Sequence, residues 1–216
     1  VWLSLFPPIC LGCGVLLRHD LPLALCSRCR PRQARLPPSL AEDLRIRAVW
    51  TYEGPLARAV VALKFNGALA LAGPLGRLLA DDPRLVEDPE GQPIELVVPT
   101  PLHWRRRLAR GFDQSEELAR WALRHANARH GWAPALGRRV LTRARATRPQ
   151  TELDAPARER NVEGAFVVKR PELVRDRRVL VLDDVTTTGA TTRACMRALD
   201  EAGAASVSAL TLLRAV

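Results

Sequence analysis

Lysine is almost absent from this 216-residue chain: Lys64 and Lys169 are the only two, so 31 of the 33 basic residues are arginine. The net charge is +10, and nearly all of it sits on planar guanidinium groups suited to bidentate partners such as phosphate. The charge favours a nucleic-acid or phosphorylated partner, although base composition of a genome also raises Arg over Lys. Long apolar runs are missing too. Nothing approaches the ~20 residues that span a bilayer, and the apolar start Val1–Ile9 has neither a basic n-region nor a small-residue cleavage site. Membrane insertion is not expected, and the chain reads as cytoplasmic. No Gly-Lys pair occurs, which removes the P-loop partner that an ATPase would require.

Apolar residues make up 47% of the chain, ordinary for a globular protein, and the length suits one medium domain plus a small module. The expected divisions are a four-Cys module over 1–35, a linker over 36–47 and an α/β domain over 48–216. Cys10, Cys13, Cys26 and Cys29 are spaced C-x₂-C-x₁₂-C-x₂-C. Two such knuckles place four thiolates around one tetrahedral Zn²⁺, and four thiolates leave no open position, so the ion is structural. Two disulfides are the competing reading, which a cytosolic compartment disfavours. His19 lies between the pairs and reads as a surface residue. Val1–Pro8 is expected to pack on the module, and 31–41, rich in Arg and Pro, reads as linker.

In the larger domain, strands are expected at 48–52, 95–98, 138–142, 165–168 and 206–213. Helices are expected at 55–65, 68–80 (Leu69, Leu75, Leu78 and Leu79 inward), 113–128 and 192–202. Asp113 to Glu116 forms an N-terminal capping box, and Trp121 reads as core. The acid-, Pro- and Gly-bearing stretch 81–93 reads as a loop. The polar, basic, aperiodic stretch 143–162 is long enough for a flap over a site, or is a plain excursion between strands.

The most informative stretch is Val179–Thr192. Four apolar residues form a short buried strand, Asp183 and Asp184 close it, and a Thr/Gly turn leads into a helix. The turn's backbone N–H groups, the hydroxyls of Thr187, Thr188 and Thr191, and the helix N-terminus converge on a spot suited to a phosphate dianion. Gly189 allows the tight turn beside Ala190. The two acids can accept from sugar hydroxyls or hold Mg²⁺ through water. Phosphate at one end and a diol in the middle describe a ribose 5-phosphate. A capped helix with no ligand is the plainer alternative.

A second stretch, Pro99-Thr100-Pro101-Leu102, follows a strand and can turn backbone amides toward an anion. Arg105, Arg106, Arg107 and Arg110 come next, bracketed by Trp104 and Phe112. They suit pyrophosphate or single-stranded DNA, where aromatic residues stack on bases; a solvated basic turn is the alternative. His103 is a general acid or base only if it faces a substrate.

The 179–192 stretch resembles the binding signature of type I phosphoribosyltransferases, which use phosphoribosyl pyrophosphate (PRPP). The resemblance implies that Asp183 and Asp184 contact the ribose hydroxyls and that Thr187, Thr188, Gly189, Ala190 and Thr191 hold the 5-phosphate. It also implies that Pro99–Leu102 faces pyrophosphate with Mg²⁺. With the four-Cys ribbon, V-V-P-T-P-L-H-W-R-R-R-L-A-R-G-F-D-Q, R-x-R-x-T-x-x-Q and R-x-x-N-V-x-G-A-F, the whole chain resembles the ComF proteins of bacteria. That family often has Asn where Asp113 stands and Leu where Thr186 stands. The resemblance implies a mostly parallel sheet flanked by helices and a zinc ribbon before it. It also implies a role in handling single-stranded DNA during natural transformation, with partners among competence proteins such as a DNA-uptake helicase. The alternative is an active phosphoribosyltransferase of nucleotide metabolism. No stretch reads as a base-specificity pocket, and the acceptor is unassigned.

Overall fold

The computed structural model describes residues 9–17, 24–36, 44–144, 162 and 164–215. The expectations for Val1–Pro8, for His19, for most of the 36–47 linker and for the 145–161 part of the flap lie outside the described residues.

Five parallel strands form the central sheet: β1 (Ile46–Thr51), β2 (Leu96–Pro99), β3 (Ala135–Leu136), β6 (Arg178–Thr186) and β7 (Ser206–Arg214), in the order β1-β7-β6-β2-β3. A separate antiparallel pair, β4 (Leu141–Arg143) and β5 (Phe166–Val168), brackets the polar stretch. The helices are α1 (Gly54–Phe65), α2 (Ala72–Ala80), α3 (Trp104–Arg110), α4 (Gln114–His130) and α5 (Ala190–Glu201).

β2 and the 179–182 segment of β6 are continuous apolar runs because both faces of the sheet are covered. Along β6, Leu180 and Leu182 point into the core shared with α1, α2 and α4, while Val179 and Val181 point into the core shared with α5 and the hairpin. β2 and β7 alternate in the same way, with Val97 on one side and Leu96 and Val98 on the other. A fully buried Leu or Val contributes about 1.5–3 kcal/mol, so this two-sided burial is the main force holding the layers together.

Several elements depart from expectation. The helix expected over 68–80 divides into a 3₁₀ turn at Leu69–Leu71 and α2, so Leu69 is exposed rather than inward. The strand expected at 138–142 is replaced by β3, earlier and only two residues long, and by β4, which leaves the main sheet. The arginine cluster is helical, as α3. β6 runs past its apolar segment to Thr186, so both acids lie within the strand.

The four-Cys unit does not stand apart. Cys10, Leu11, Leu17, Leu25, Cys26 and Cys29 join the same buried cluster as Leu56, Val60 and Leu63 of α1. A Cβ on Gly12 would lie 2.5 Å from Pro55 Cβ and 2.9 Å from Cys29 Sγ, so glycine is what permits this close approach. Downstream, Gln33 donates through Nε2 to the Thr51 carbonyl at 3.0 Å and accepts from Leu56 N–H at 3.0 Å. Arg35 bridges antiparallel to Trp50, and β1 begins at Ile46, inside the span expected as linker. Among the described residues no helix is long and apolar enough to cross a membrane.

Candidate ligand cleft and four-cysteine cluster

The chain leaves β2 through α4 toward β3 and leaves β6 through α5 toward β7, in opposite directions across the sheet. The C-terminal ends of the adjacent strands β2 and β6 are therefore a topological switch point, where open α/β sheets form their binding crevice. A cleft of about 580 Å³ opens there.

Asp183 and Asp184 form its floor, 8% and 3% exposed. Asp183 Oδ1 accepts from Ser115 Oγ at 2.9 Å and from Asp184 N–H at 2.9 Å. Asp184 Oδ1 meets Lys64 Nζ at 2.9 Å. Asp184 Oδ2 is buried and has no hydrogen-bond partner among the described residues. Burial, and then the neighbouring Asp184 charge, push the Asp183 carboxyl up to about 7, with Lys64 acting in the opposite direction.

One wall is the loop Thr100-Pro101-Leu102, and Pro99 ends β2 directly before it. The loop is fixed by Asp113, whose Oδ2 accepts from Leu102 N–H at 2.8 Å. Its Oδ1 caps α4 by accepting from Ser115 and Glu116 N–H at 3.1 and 3.4 Å. Of the expected capping box, the Asp113 half is formed; Glu116 instead meets Arg138 Nε at 2.5 Å. Burial still raises the Asp113 carboxyl above its ordinary value against these three donors.

Another part of the lining is cationic. Arg106, Arg110 and Arg143 line the cleft. Arg110 donates to Gln114 Oε1 at 2.9 Å, and its guanidinium lies 5.0 Å over the Phe65 ring. Burial and then the Arg106 charge lower Arg143, so these cations crowd one another in a site that an anion would relieve. The four expected arginines thus divide. Arg107 turns toward Glu116 at 3.9 Å and lines a smaller neighbouring cavity of about 150 Å³, and Arg105 lies 5.3 Å over the Trp104 ring. Trp104 and Leu108 are exposed on α3.

The Thr/Gly turn divides as well. Thr191 lines the main cleft, while Thr187, Thr188 and Gly189 line a separate small cavity with Arg193 and Arg214. Gly189 has φ +76° at the N-cap of α5, and Thr188 Oγ1 accepts from Ala190 N–H at 3.5 Å. His103 is the N-cap of α3: its Nδ1 accepts from Arg105 N–H at 3.3 Å. Burial and then Arg143 lower its pKa, which suits a neutral acceptor.

Lys64, Phe65, Ser115 and Arg143 were not singled out by the sequence as cleft residues. Lys64 lies 120 positions from Asp184, and only its rarity in an arginine-dominated chain marks it.

The four cysteines are free, with all their sulfurs within 4.8 Å of one another. Cys13 and Cys26 Sγ are 3.7 Å apart, close to the ~3.8 Å edge of a tetrahedron with Zn–S of about 2.3 Å. Cys10 Sγ accepts from Gly12 and Cys26 N–H at 3.4 and 3.3 Å. Burial raises Cys10, but backbone donors outweigh it and bring the thiol down to about 6. Burial and then the surrounding thiols push Cys29 up to about 12. Backbone donation from Cys29 lowers Cys26 as well, so thiolates at Cys10 and Cys26 are favoured while one at Cys29 is opposed, an imbalance that a divalent cation removes. The cluster fits a tetrahedral metal ion.

Residues 136–215 match the phosphoribosyl transferase domain model, which takes in β6, the Thr/Gly turn, α5 and β7. The chain is 33% identical over 207 residues to the DNA utilization protein YhgH of Salmonella typhi, covering 95% of this chain and 84% of that protein. Identity to the protein of the same name in Escherichia coli K12 is 33% over 208 residues, again 95% and 84%. Competence protein F of Haemophilus influenzae is 29% identical over 171 residues, 76% of this chain and 70% of that one. With its parallel sheet, its acid pair at the switch point and its four-Cys cluster, the chain belongs to the ComF family of phosphoribosyltransferase-like proteins.

Proposed function

We propose that the cleft binds PRPP with Mg²⁺ and that the protein acts in handling single-stranded DNA. Asp183 and Asp184 take the ribose hydroxyls, and the turn of Thr187, Thr188, Gly189, Ala190 and Thr191 takes the 5-phosphate, with Thr191 on the main-cleft side and Thr187, Thr188 and Gly189 on the side of the small cavity. Pro99, Thr100, Pro101 and Leu102 face the pyrophosphate, whose charge Arg106 and Arg110 offset. The observation that carries this reading is Asp184 Oδ2, a buried carboxylate oxygen without a partner among the described residues, on an acid lining a cleft that Arg106, Arg110 and Arg143 also line. A buried acceptor left unmade costs about 1–3 kcal/mol, and a sugar hydroxyl or a metal-bound water would satisfy it. The donor set therefore fits Mg²⁺, which supplies charge neutralisation on pyrophosphate. In the same reading, Cys10, Cys13, Cys26 and Cys29 hold a structural Zn²⁺ and 1–35 acts as a zinc ribbon.

The DNA role is supported by the names of the relatives, DNA utilization protein and Competence protein F. It is also supported by the basic α3, with Arg105, Arg106, Arg107 and Arg110 beside exposed Trp104 and Leu108. Competence proteins such as a DNA-uptake helicase are the proposed protein partners, in the cytoplasm.

Isothermal titration with Mg-PRPP tests the cleft. Saturable binding is expected, and Asp183→Asn with Asp184→Asn should abolish it; unchanged binding in the double variant would overturn the assignment. Single-stranded DNA binding should be salt-sensitive and should drop when Arg105, Arg106 and Arg107 become Ala. Pyrophosphate release with nucleobase acceptors would favour an active transferase of nucleotide metabolism instead.

A further inference from the structure

The two acids of the cleft floor have been matched to a ribose, but Lys64, which holds one of them, has no role in that match. Lys64 stands in the last turn of α1 with its Nζ 2.9 Å from Asp184 Oδ1, and both side chains are largely withdrawn from solvent. The ammonium engages one carboxylate oxygen and leaves the other, Oδ2, unsatisfied. A guanidinium would have met both oxygens as a fork. In a chain where 31 of 33 basic residues are arginine, the cation paired with Asp184 is a lysine, a compact, single-point charge that leaves the second carboxylate oxygen without a partner among the described residues. The same cleft is lined by Arg106, Arg110 and Arg143 as well as by the acids, so an anionic ligand would find cations beside the Asp184 pair.

We propose that Lys64 is an exchangeable counter-charge: it neutralises Asp184 while the cleft is empty, yields that carboxylate to the ligand's hydroxyls or its metal, and turns its ammonium onto the ligand's phosphate groups. This rests on the reading of the cleft as a phosphoribosyl site. It adds that Lys64 is a specificity-determining residue for which charge alone is insufficient. Removal of Lys64 leaves Asp184, beside Asp183, without its ion-pair partner, and the two carboxylates should capture a divalent metal directly. Arginine at this position keeps the charge but locks both oxygens.

The scarcity of lysine makes the test direct. Protein labelled with ¹⁵N-lysine gives two side-chain signals, assigned by replacing the exposed Lys169 with Arg (K169R). Titration with Mg-PRPP should move the Lys64 signal and leave the Lys169 signal in place. In calorimetry, K64M and K64R should both weaken PRPP by at least tenfold. Mn²⁺ alone should bind K64M at least tenfold tighter than the unmodified chain, and that gain should vanish in K64M with Asp184→Asn. Equal PRPP affinity in K64R, or a Lys64 signal unmoved at saturation, would overturn the exchange. If the unmodified protein binds no PRPP, the phosphoribosyl reading fails, and the Mn²⁺ arm then judges Lys64: a gain in K64M supports the counter-charge, and no gain overturns it. Should K64M not fold, the Lys64 signal decides in its place: a shift toward the Lys169 position on Asp184→Asn supports the ion pair, and no shift overturns it.

Discussion

Asp183→Asn should make the protein more stable, and increasingly so as pH rises. The carboxyl is buried beside Asp184 and titrates near 7 in the folded state, against an ordinary value of 3.8. A raised carboxyl pKa means that the folded state holds its proton more tightly than the unfolded state. Between the two values the folded chain binds more protons, so stability falls with rising pH across that window and levels off above about 7. Between pH 5 and pH 8 the loss amounts to about 2–3 kcal/mol. Asparagine keeps an oxygen that accepts from Ser115 Oγ and Asp184 N–H while removing the charge. Denaturant unfolding of both proteins at pH 5, 6, 7 and 8 measures this, and the difference in unfolding free energy cancels the titrating groups that do not interact with Asp183. The difference should widen by about 2–3 kcal/mol from pH 5 to pH 8. Parallel curves would refute the argument, since they would mean that Asp183 ionises as freely in the fold as in the open chain.

Asp113→Ala removes three acceptor contacts at once, freeing the 99–102 loop from the start of α4. It should cost about 2 kcal/mol in denaturant unfolding and weaken PRPP without changing the metal content. Gly76→Ala places a Cβ 2.6 Å from Trp121 Cβ and 2.9 Å from Ala122 N at the α2–α4 contact. Overpacking of this kind should cost about 1–3 kcal/mol in thermal unfolding, with ligand binding retained. Elemental analysis should find one zinc per chain. Cys10→Ser should lose the metal and lower stability by about 3 kcal/mol, or roughly 6–12 °C in Tm, in one transition rather than two, because the cluster shares the main core.

The residues that made the fold legible were those whose patterns report local geometry. The run Val179–Leu182 read as a buried strand because four apolar residues in a row need cover on both faces, and the sheet supplies it. Asp113 read as a cap because its acceptor lies within reach of N–H groups two and three residues on. The cysteine spacing located a cluster that the fold does assemble. Contacts made across the chain were illegible. Nothing near Lys64 or Ser115 announces that each meets an acid of β6. α3 was missed because His103 is an unusual cap, used here through its neutral ring nitrogen. The split of the Thr/Gly turn between two cavities depends on where β6 ends and on the Arg193 side chain beside Gly189, neither of which a motif records.

The contact of Gly12 with Pro55 bears on how such a chain can be cut, borrowed or exchanged. The sequence divides the cysteine unit from the first helix of the sheet domain by a linker, and in the fold each is part of the other's wall. A chain severed near residue 35 would bare Leu56 and Val60 on one fragment and Leu11 and Leu25 on the other, and would break the Gln33 clasp between them. Neither piece is a transferable cassette. A graft of the cysteine unit from a relative would have to bring the opening turn of α1 with it, and deletion variants meant to isolate one half would report on a damaged core instead of on a missing activity.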